Sequence, residues 1–312
     1  MIDAHIHIHS DFDAAALIRY LDREGIDACW LLTWEEVQPG KWPYRHLPVE
    51  DVLAAHTQYP ERIVPMYAPD PRRSDCLERF RMFQQQGIAG CAELKSAVNW
   101  DDPQLQPLLG YLNAQRLPLV FHMEAGRRGY RFDSASRFEH FLARLLNSGK
   151  YGLPRQTIEW LAGILPPLRR KMDRGGYEFP GYLMDFLSLE AALQHYPGIR
   201  FIGHGPFFWR NMAADPGPVR YPSGKIRRAG IIDRLLREYD NLYADISGRS
   251  GYGALTRDRV FAHRFLSEHF DKLLYGSDNY FAGQRDFLDA LKLAPEVYRR
   301  IYHDNAAALV KR

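Results

Sequence analysis

The sequence predicts an α/β fold, a (β/α)8 TIM barrel with a helical insertion after the fifth strand. Short apolar runs rich in β-branched residues alternate with amphipathic segments, and the chain contains eight such runs. No glycine-rich dinucleotide-binding motif follows the first run, which removes the commonest support for an open, doubly wound sheet. A barrel uses about 250 residues. The 312 residues of this chain therefore predict one barrel domain, 1–312, with additional chain inserted into it.

The predicted strands have the length of buried parallel strands and are bounded by Gly, Pro and Asp. In order, they cover residues 2–8, 27–33, 62–68, 90–95, 118–124, 199–204, 241–247 and 272–278. Helical spacing lies between most of them, as at Leu17 and Leu21 after the first strand and at Leu105, Leu108 and Leu112 before the fifth.

The spacing between the fifth and sixth predicted strands is far longer than one helix needs. Residues 125–198 fill it, with helical patterns at 137–146, 156–172 and 182–195. Because the loops that follow barrel strands emerge at the C-terminal face, we expect a helical insertion over the barrel mouth. Two roles are open for it, a contribution to substrate binding and packing alone.

Composition and charge narrow the class of protein. Lys and Arg number 41 against 38 Asp and Glu, a net charge of +3 that indicates no nucleic-acid partner. The three cysteines are an odd number without a pairing pattern, which predicts a reducing, cytoplasmic compartment. No signal peptide and no apolar stretch of membrane-spanning length is evident, so we expect no membrane association.

Candidate metal ligands stand on the predicted strands. His5 and His7 lie on the first strand and share a face, because side chains alternate with a period of two. Two imidazoles on one face are suited to binding a divalent ion. The strand ends converge on one mouth, and further nitrogen and oxygen ligands lie at or near the ends of four other strands: Glu93, His122, His204 and Asp278. The pattern predicts a metal site there.

The chain resembles the amidohydrolase superfamily of metal-dependent barrels. Within it, the chain is most similar to the amidohydrolase-related branch that contains the aminocarboxymuconate-semialdehyde decarboxylase-like enzymes. The similarity runs from residue 2 to about 310, with 125–198 poorly covered. The motifs that carry it are IDAHIHIH at the start, FHME at the fifth strand, FIGHG at the sixth, YADIS at the seventh, LLYGSD at the eighth and IYHDNAAALV near the end.

The resemblance implies roles for these residues. It implies that a metal is bound by His5, His7, His122 and Asp278, and that Asp278 handles the proton of the attacking water. His204 would be either a ligand of a second metal or a proton donor. At the fourth strand, hydrolytic members have a modified lysine, whereas this chain offers Glu93 and Lys95. Glu93 either bridges two metals or supports a single-metal site, and Lys95 either pairs with Glu93 or meets an anionic substrate.

The predicted chemistry follows from this ligand set. Imidazole with carboxylate favours zinc, with manganese, iron or cobalt as alternatives, in one or two ions. Such a metal lowers the pKa of its bound water to about 7. We therefore expect a hydrolase that cleaves a C–N or C–O bond of a small carbonyl substrate. The alternative is a non-oxidative decarboxylase of a small unsaturated or aromatic acid. A non-catalytic barrel is disfavoured because every ligand position is retained.

Further residues are candidates for contact with the substrate. Arg249 follows the seventh strand, and its guanidinium matches a carboxylate. Lys95 shares a face with Glu93, and His9 has the same parity as His5 and His7 but lies past the end of the predicted strand. Asp245, on the seventh strand, is predicted to fill the barrel or to hydrogen-bond to a ligand. Family resemblance also suggests a homodimer.

Overall fold

Eight parallel strands form the barrel, in two hydrogen-bonded sheets. The structure, a computed structural model, describes residues 1–7, 13–35, 47–130, 137, 141–142, 145–146, 152–183, 185–217, 219–278, 280–281 and 283–310. The first sheet has the order β1 (Ile2–Ile6), β2 (Ala28–Trp34), β3 (Ile63–Ala68). The second joins β4 (Cys91–Leu94), β5 (Pro118–His122), β8 (Arg200–His204), β9 (Leu242–Asp245) and β10 (Leu273–Leu274), in that order. Two further strands, β6 (Glu124–Tyr130) and β7 (Gly176–Tyr182), form a separate hairpin.

Hydrogen bonds link the two sheets at both edges. Met66 of β3 forms a parallel bridge with Gly90, just before β4. At the other edge, Ala4 N donates to Tyr275 O at 2.9 Å, and Asp278 N donates to the carbonyl oxygen of His5 at 2.8 Å. The eight strands therefore follow one another around a ring, and the predicted TIM-barrel class is confirmed.

The helices lie between these strands along the chain. They are α1 (Ala14–Glu24), α2 (Val49–Gln58), α3 (Cys76–Gln85), α4 (Gln106–Gln115), α5 (Gly152–Ile164), α6 (Pro166–Gly175), α7 (Phe186–His195), α8 (Pro206–Arg210), α9 (Ile231–Glu238), α10 (Gly248–Thr256), α11 (Arg259–Glu268), α12 (Gly283–Asp289), α13 (Pro295–Arg299) and α14 (Asn305–Leu309), with a π-helical turn at Arg300–Asp304. The apolar faces of α1 and α2 pack on outward residues of β1 and β2. Leu17 and Leu21 of α1 and Leu31 of β2 belong to this cluster. A second apolar cluster fills the barrel, with Trp30, Met66 and Val120 among its members.

Strand β1 changes its facing direction part-way along. From Asp3 to Ile6 strand β1 advances by three residues, whereas its partner β2 advances by two, from Cys29 to Leu31. This extra residue is a β-bulge. Ala4 packs in the cluster that fills the barrel, whereas Ile6 packs outside it against the helices. The extra residue turns His5 inward beside Ala4, so the imidazole reaches the barrel interior.

Strand β4 also contains a β-bulge. From Cys91 to Leu94 strand β4 advances by three residues, whereas β5 advances by two, from Leu119 to Phe121. Cys91 and Leu94 both pack in the outer core, while Ala92 packs inside the barrel. Glu93 is fully buried and contacts histidines of the interior. Bulges of this kind re-aim side chains next to active sites, and here they occur on the two strands that carry His5 and Glu93.

The segment after β5 begins and ends in an antiparallel hairpin. β6 (Glu124–Tyr130) pairs with β7 (Gly176–Tyr182), and α5 and α6 lie between them in the chain. The segment from β6 to β7 has a small core of its own, which consists of Tyr130, Leu142, Leu146, Ala162 and Met172. The hairpin was not predicted, because EAGRRGY lacks the apolar alternation of a strand.

Helices of this segment also differ from their predicted bounds. The predicted helix over 156–172 is two helices that meet at Leu165, the residue before Pro166, because proline disfavours a helical conformation at the residue before it. The pattern at 182–195 becomes a helix only from Phe186, where the side chain of Asp185 accepts hydrogen bonds from the backbone of the first turn. Half of residues 137–146 lie outside the described part of the chain.

Candidate metal centre

The predicted ligands converge at the C-terminal ends of the barrel strands. His5, Glu93, His122 and His204 are buried at the ends of β1, β4, β5 and β8. Asp278 is half-buried and lies after β10, beside the backbone of β1. Ligand atoms of His5, Glu93 and His204 lie within 4.8 Å of one another, as do those of His5, His7 and Asp278.

The centre of the site is the meeting point of His5, His7 and Glu93. The Nε2 atoms of the two histidines are 2.9 Å apart. Glu93 Oε2 lies 2.7 Å from Nε2 of His7 and 3.5 Å from Nε2 of His5. His7 Nδ1 is 3.2 Å from the carbonyl oxygen of Leu32. Because a carbonyl only accepts, this contact assigns the hydrogen to Nδ1 and leaves the Nε2 lone pair facing the centre.

This donor set fits a divalent metal. His5 Nδ1 contacts the Asp245 carboxylate, which assigns its hydrogen to Nδ1 as well. Two Nε2 lone pairs and a carboxylate oxygen therefore point at one another among buried side chains, an arrangement that a cation stabilises. Imidazole nitrogen with carboxylate oxygen is the ligand type of zinc and of other divalent transition metals.

The charges around Glu93 favour the same arrangement. Burial opposes the charge of Glu93, but Lys95, His122 and His5 outweigh it and hold the pKa of this carboxyl well below its usual value. Lys95 Nζ is 2.7 Å from Glu93 Oε2. Burial, with Lys95 nearby, lowers the pKa of His7 to about 4. His7 is therefore neutral near pH 7, as a metal ligand must be.

His5 is the position where positive charge is most favoured. Burial again opposes the charged form, but the carboxylates of Asp245 and Glu93 outweigh it and raise the pKa of His5 well above its usual value. A site that draws a proton between buried carboxylates also attracts a metal cation.

His122 approaches the centre from the other side. Its Nδ1 is 2.6 Å from Glu93 Oε1, so one carboxylate contacts His7 and His122 with its two oxygens. His122 Nε2 is 3.3 Å from Glu124 Oε2. His122 belongs to neither of the two ligand triads of the barrel among the described residues. Its predicted role as a direct ligand therefore stays a prediction, and the structure places it against Glu93.

His204 faces both the centre and a buried carboxylate. Its Nε2 is 4.0 Å from Glu93 Oε1, and its Nδ1 is 3.3 Å from Asp245 Oδ2 and 3.3 Å from the hydroxyl of Ser247. Its position near Glu93 is compatible with both predicted roles, second-metal ligand and proton donor.

The predicted substrate residues have separate placements. Lys95 is buried, pairs with Glu93, and lies 3.6 Å from the centroid of the Trp34 ring. This placement matches the first of its two predicted alternatives. Arg249 is exposed in the first turn of α10, which follows β9. His9 lies outside the described residues. The substrate roles of all three stay predictions.

A second charged group beside His122 was not predicted. Glu124, the first residue of β6, is buried and contacts the guanidinium groups of Arg127 and Arg220. His122, Arg220 and Arg127 outweigh burial and lower the pKa of Glu124 to about 2. The Arg127 guanidinium lies 4.7 Å from the centroid of the Phe179 ring, across the hairpin. The sequence could have indicated Glu124, because it lies two residues after His122 in FHME. It could not have indicated Arg220, which is nearly 100 residues further along the chain.

Comparison with solved structures extends over nearly the whole chain. One match is an uncharacterized TIM-barrel protein from Bordetella bronchiseptica, with 13% identity, a TM-score of 0.55, and coverage of 95% of this chain and 82% of the other. Another is 5-carboxyvanillate decarboxylase from Novosphingobium aromaticivorans, complexed with manganese and 4-hydroxy-3-methoxy-5-nitrobenzoic acid. Its identity is 16% and its TM-score 0.56, over 96% of this chain and 80% of the other.

A third match is a putative 2-pyrone-4,6-dicarboxylic acid hydrolase from Pseudomonas putida, with 14% identity, a TM-score of 0.56, and coverage of 99% and 96%. The chain shares the TIM-barrel fold of these solved structures. No protein-family model matches the sequence, and no curated protein matches it. The amidohydrolase resemblance read from the sequence is therefore supported at the level of fold.

Two further expectations concern the rest of the molecule. Among the described residues, no helix has both the length and the apolar character needed to cross a membrane. All three cysteines, Cys29, Cys76 and Cys91, are free and buried.

Proposed function

We propose that this protein is a metal-dependent hydrolase of the amidohydrolase type, acting with water on a C–N or C–O bond of a small carbonyl substrate. One observation carries the proposal: the Nε2 atoms of His5 and His7 and Oε2 of Glu93 meet within 3.5 Å in the barrel mouth. The metal would be divalent, with zinc as our first expectation and manganese, which accompanies the solved decarboxylase, as the alternative.

The chain's own residues divide the work of hydrolysis. A divalent ion held by His5, His7 and Glu93 would supply Lewis acidity, lowering the pKa of a water and polarising the substrate carbonyl. Asp278 would accept the proton of the attacking water and return it to the leaving group. His204 would stabilise the developing charge on the carbonyl oxygen. Lys95 would keep Glu93 ionised, because its ammonium lies against the carboxylate.

The second candidate is decarboxylation, and the arginines beside His122 favour it. Arg127 and Arg220 both contact the carboxylate of Glu124 beside His122, and guanidinium groups at this part of the mouth match the carboxylate of an acid substrate. Decarboxylation would break the bond to the carboxylate carbon and release CO2. Asp278 or His204 would then protonate the carbon that retains the electron pair.

Metal analysis tests the proposal before any substrate is known. Purified protein dialysed against zinc or manganese should retain metal, and Glu93→Gln should lower the retained metal sharply because a ligand charge is lost. Glu35→Gln is the matched control, since Glu35 pairs with Arg79 and belongs to neither ligand triad of the barrel among the described residues; its metal content should equal that of the wild type. Full retention of metal by Glu93→Gln would overturn the proposal.

A substrate panel separates the two reactions. Lactones, amides and unsaturated or aromatic acids would be incubated with metal-loaded protein in water enriched in oxygen-18. Hydrolysis predicts incorporation of the label into the product. Release of CO2 without incorporation would favour decarboxylation and contradict hydrolysis.

We also propose that the protein forms a homodimer in a reducing, cytoplasmic compartment and binds neither nucleic acid nor membranes. The free, buried cysteines support the compartment. The small net charge of +3 supports the absence of a nucleic-acid partner. Light scattering on the purified chain should give twice its mass of 36.2 kDa, and the mass of the single chain would contradict the dimer.

A further inference from the structure

We infer that Asp245 is a positioning residue that orients two histidines of the metal centre at once, His5 and His204. It would hold both rings with their hydrogens on Nδ1 and their Nε2 atoms facing Glu93. The inference rests on the proposed metal centre for its consequence, but the orientation itself is a property of the protein alone.

The geometry begins with the end of β9. Asp245 is the last residue of that strand and is 1% exposed. One oxygen, Oδ2, contacts His5 Nδ1 and lies 3.3 Å from His204 Nδ1. The other, Oδ1, accepts a hydrogen bond of 2.8 Å from the backbone N–H of Ser247. The carboxylate is therefore held by its own strand end while it contacts both rings.

The contacts determine which ring nitrogens carry hydrogen. An ionised carboxylate only accepts, so the contact of Asp245 Oδ2 with His5 Nδ1 makes that nitrogen the donor. For His204 the inference is that Nδ1, which lies 3.3 Å from the same carboxylate oxygen and 3.3 Å from the Ser247 hydroxyl, donates to the carboxylate. The remaining nitrogens then point to the centre, with Nε2 of His5 3.5 Å from Glu93 Oε2 and Nε2 of His204 4.0 Å from Glu93 Oε1. The ring centroids of the two histidines are 4.4 Å apart, so one carboxylate is enough to position both.

A purely space-filling role does not account for this residue. An apolar side chain would fill the same volume without the cost of burying a carboxylate. Carboxylates behind metal-binding histidines fix the tautomer and the ring orientation, and their loss weakens metal affinity by about 10–100-fold. Asp245 differs from the usual arrangement in serving two rings from one oxygen.

The test uses Asp245→Asn, which keeps the shape of the side chain. Its amide cannot accept hydrogen bonds from both rings and from Ser247 in the same way, so at least one histidine should lose its Nδ1 hydrogen. Nitrogen-15 NMR of the histidine rings reads this directly, in metal-free and in zinc-loaded protein. The zinc dissociation constant, measured by competition with a chromogenic chelator, should rise about 10–100-fold.

A matched control removes a buried Asp–His contact elsewhere. In the outer helical layer, Asp233 Oδ1 lies 3.1 Å from Nε2 of the buried His269. Asp233→Asn should lower stability because it disturbs a buried hydrogen bond, while the zinc dissociation constant and the ring nitrogens of His5 and His204 stay at their wild-type values.

The outcomes separate this inference from the proposed function. Nδ1 hydrogens on both rings in the wild type, with loss of at least one in Asp245→Asn, support positioning even if zinc binds to neither protein. A wild-type ring without hydrogen on Nδ1 overturns the inference, and this holds even if the variant fails to fold. Unchanged tautomers and unchanged zinc affinity in a folded Asp245→Asn protein overturn it as well.

Discussion

At the scale of single residues, the buried carboxyl of Asp3 stands out beside the metal centre. Its Oδ1 accepts backbone hydrogen bonds from His5 at 3.1 Å and from Ser277 at 3.0 Å. Its Oδ2 is buried without a hydrogen-bond partner among the described residues. Burial is the main cause that raises the pKa of Asp3 to about 7.

This shift predicts how stability depends on pH. The ordinary pKa is 3.8 and the folded value about 7, so the folded chain holds a proton that the unfolded chain has released. The contribution of the protonated Asp3 carboxyl to the free energy of unfolding is fully present below pH 3.8. It is lost as the pH rises through 7. Asp3→Asn cannot ionise and should therefore be more stable than the wild type at pH 8, by on the order of 4 kcal/mol.

Urea unfolding of metal-free protein at pH 4.5 and pH 8 checks this prediction. The difference between Asp3→Asn and the wild type should shrink towards the acid end, because both carboxamide and protonated carboxyl are then neutral. A difference that stays constant with pH would show that Asp3 ionises normally in the folded chain.

At the scale of elements, the start of α10 is built around Asp278. Gly248 has φ +62°, and a Cβ added there would lie 2.4 Å from Asp278 Oδ2. Only glycine combines this left-handed backbone with room for the carboxylate. Gly248, the first residue of α10, thus determines where the carboxylate of Asp278 can lie.

Gly248→Ala should displace the Asp278 carboxylate. We expect at least a tenfold loss of turnover, weaker zinc binding, and a loss of about 1 kcal/mol in stability from the backbone conformation. Gly253→Ala in the same helix is the control, because a Cβ there meets nothing within 4 Å; it should leave turnover unchanged. Equal turnover in the two variants would contradict a role for Asp278 at the centre.

The β6–β7 hairpin offers a second test at this scale. Arg127 contacts the buried Glu124 beside His122, whereas its neighbour Arg128 is exposed and pairs with Asp173. If the substrate is an acid, Arg127→Met should raise KM for it by about 10–100-fold, the cost of one charged hydrogen bond. KM for the neutral methyl ester should change little.

Arg128→Met is the matched control for the hairpin and should leave both KM values at those of the wild type. Steady-state kinetics with the acid and its ester, alongside a melting curve for each variant, make the comparison. An equal rise of KM for acid and ester would indicate that Arg127 only supports Glu124.

At the scale of the whole molecule, the last helix completes the core of the barrel. Ala306, Leu309 and Val310 belong to the apolar cluster that fills the barrel, together with Ile2 at the start of β1. Asn305 Nδ2 donates to the carbonyl oxygens of Phe270 and Leu273, at 2.7 and 2.8 Å. The two ends of the chain therefore meet in one core, away from the strand ends that carry the ligands.

Leu309→Ala should destabilise the whole barrel without changing its chemistry. We expect a loss of about 2–5 kcal/mol in the free energy of unfolding, typical of a buried leucine, and unchanged zinc affinity. Leu187→Ala is the control, because Leu187 is 77% exposed; its effect should lie within about 0.5 kcal/mol. A loss of zinc affinity in Leu309→Ala at temperatures where it is folded would contradict this separation.

The sequence by itself determined the fold class, the eight strands and the convergence of His5, Glu93 and His204. Strand periodicity and strand-terminal ligands are local signals, so they survive without knowledge of distant contacts. That His5 and His7 share a face also follows from their spacing.

Only the tertiary structure decided how these residues meet. The single extra residues in β1 and β4 turn Ala4 with His5, and Ala92 with Glu93, towards the barrel interior. Asp245 reaches His5 across 240 positions of the chain. Such contacts depend on strand register and on which oxygen faces which ring. Periodicity carries no information about either, because a bulge changes direction without leaving an apolar signature.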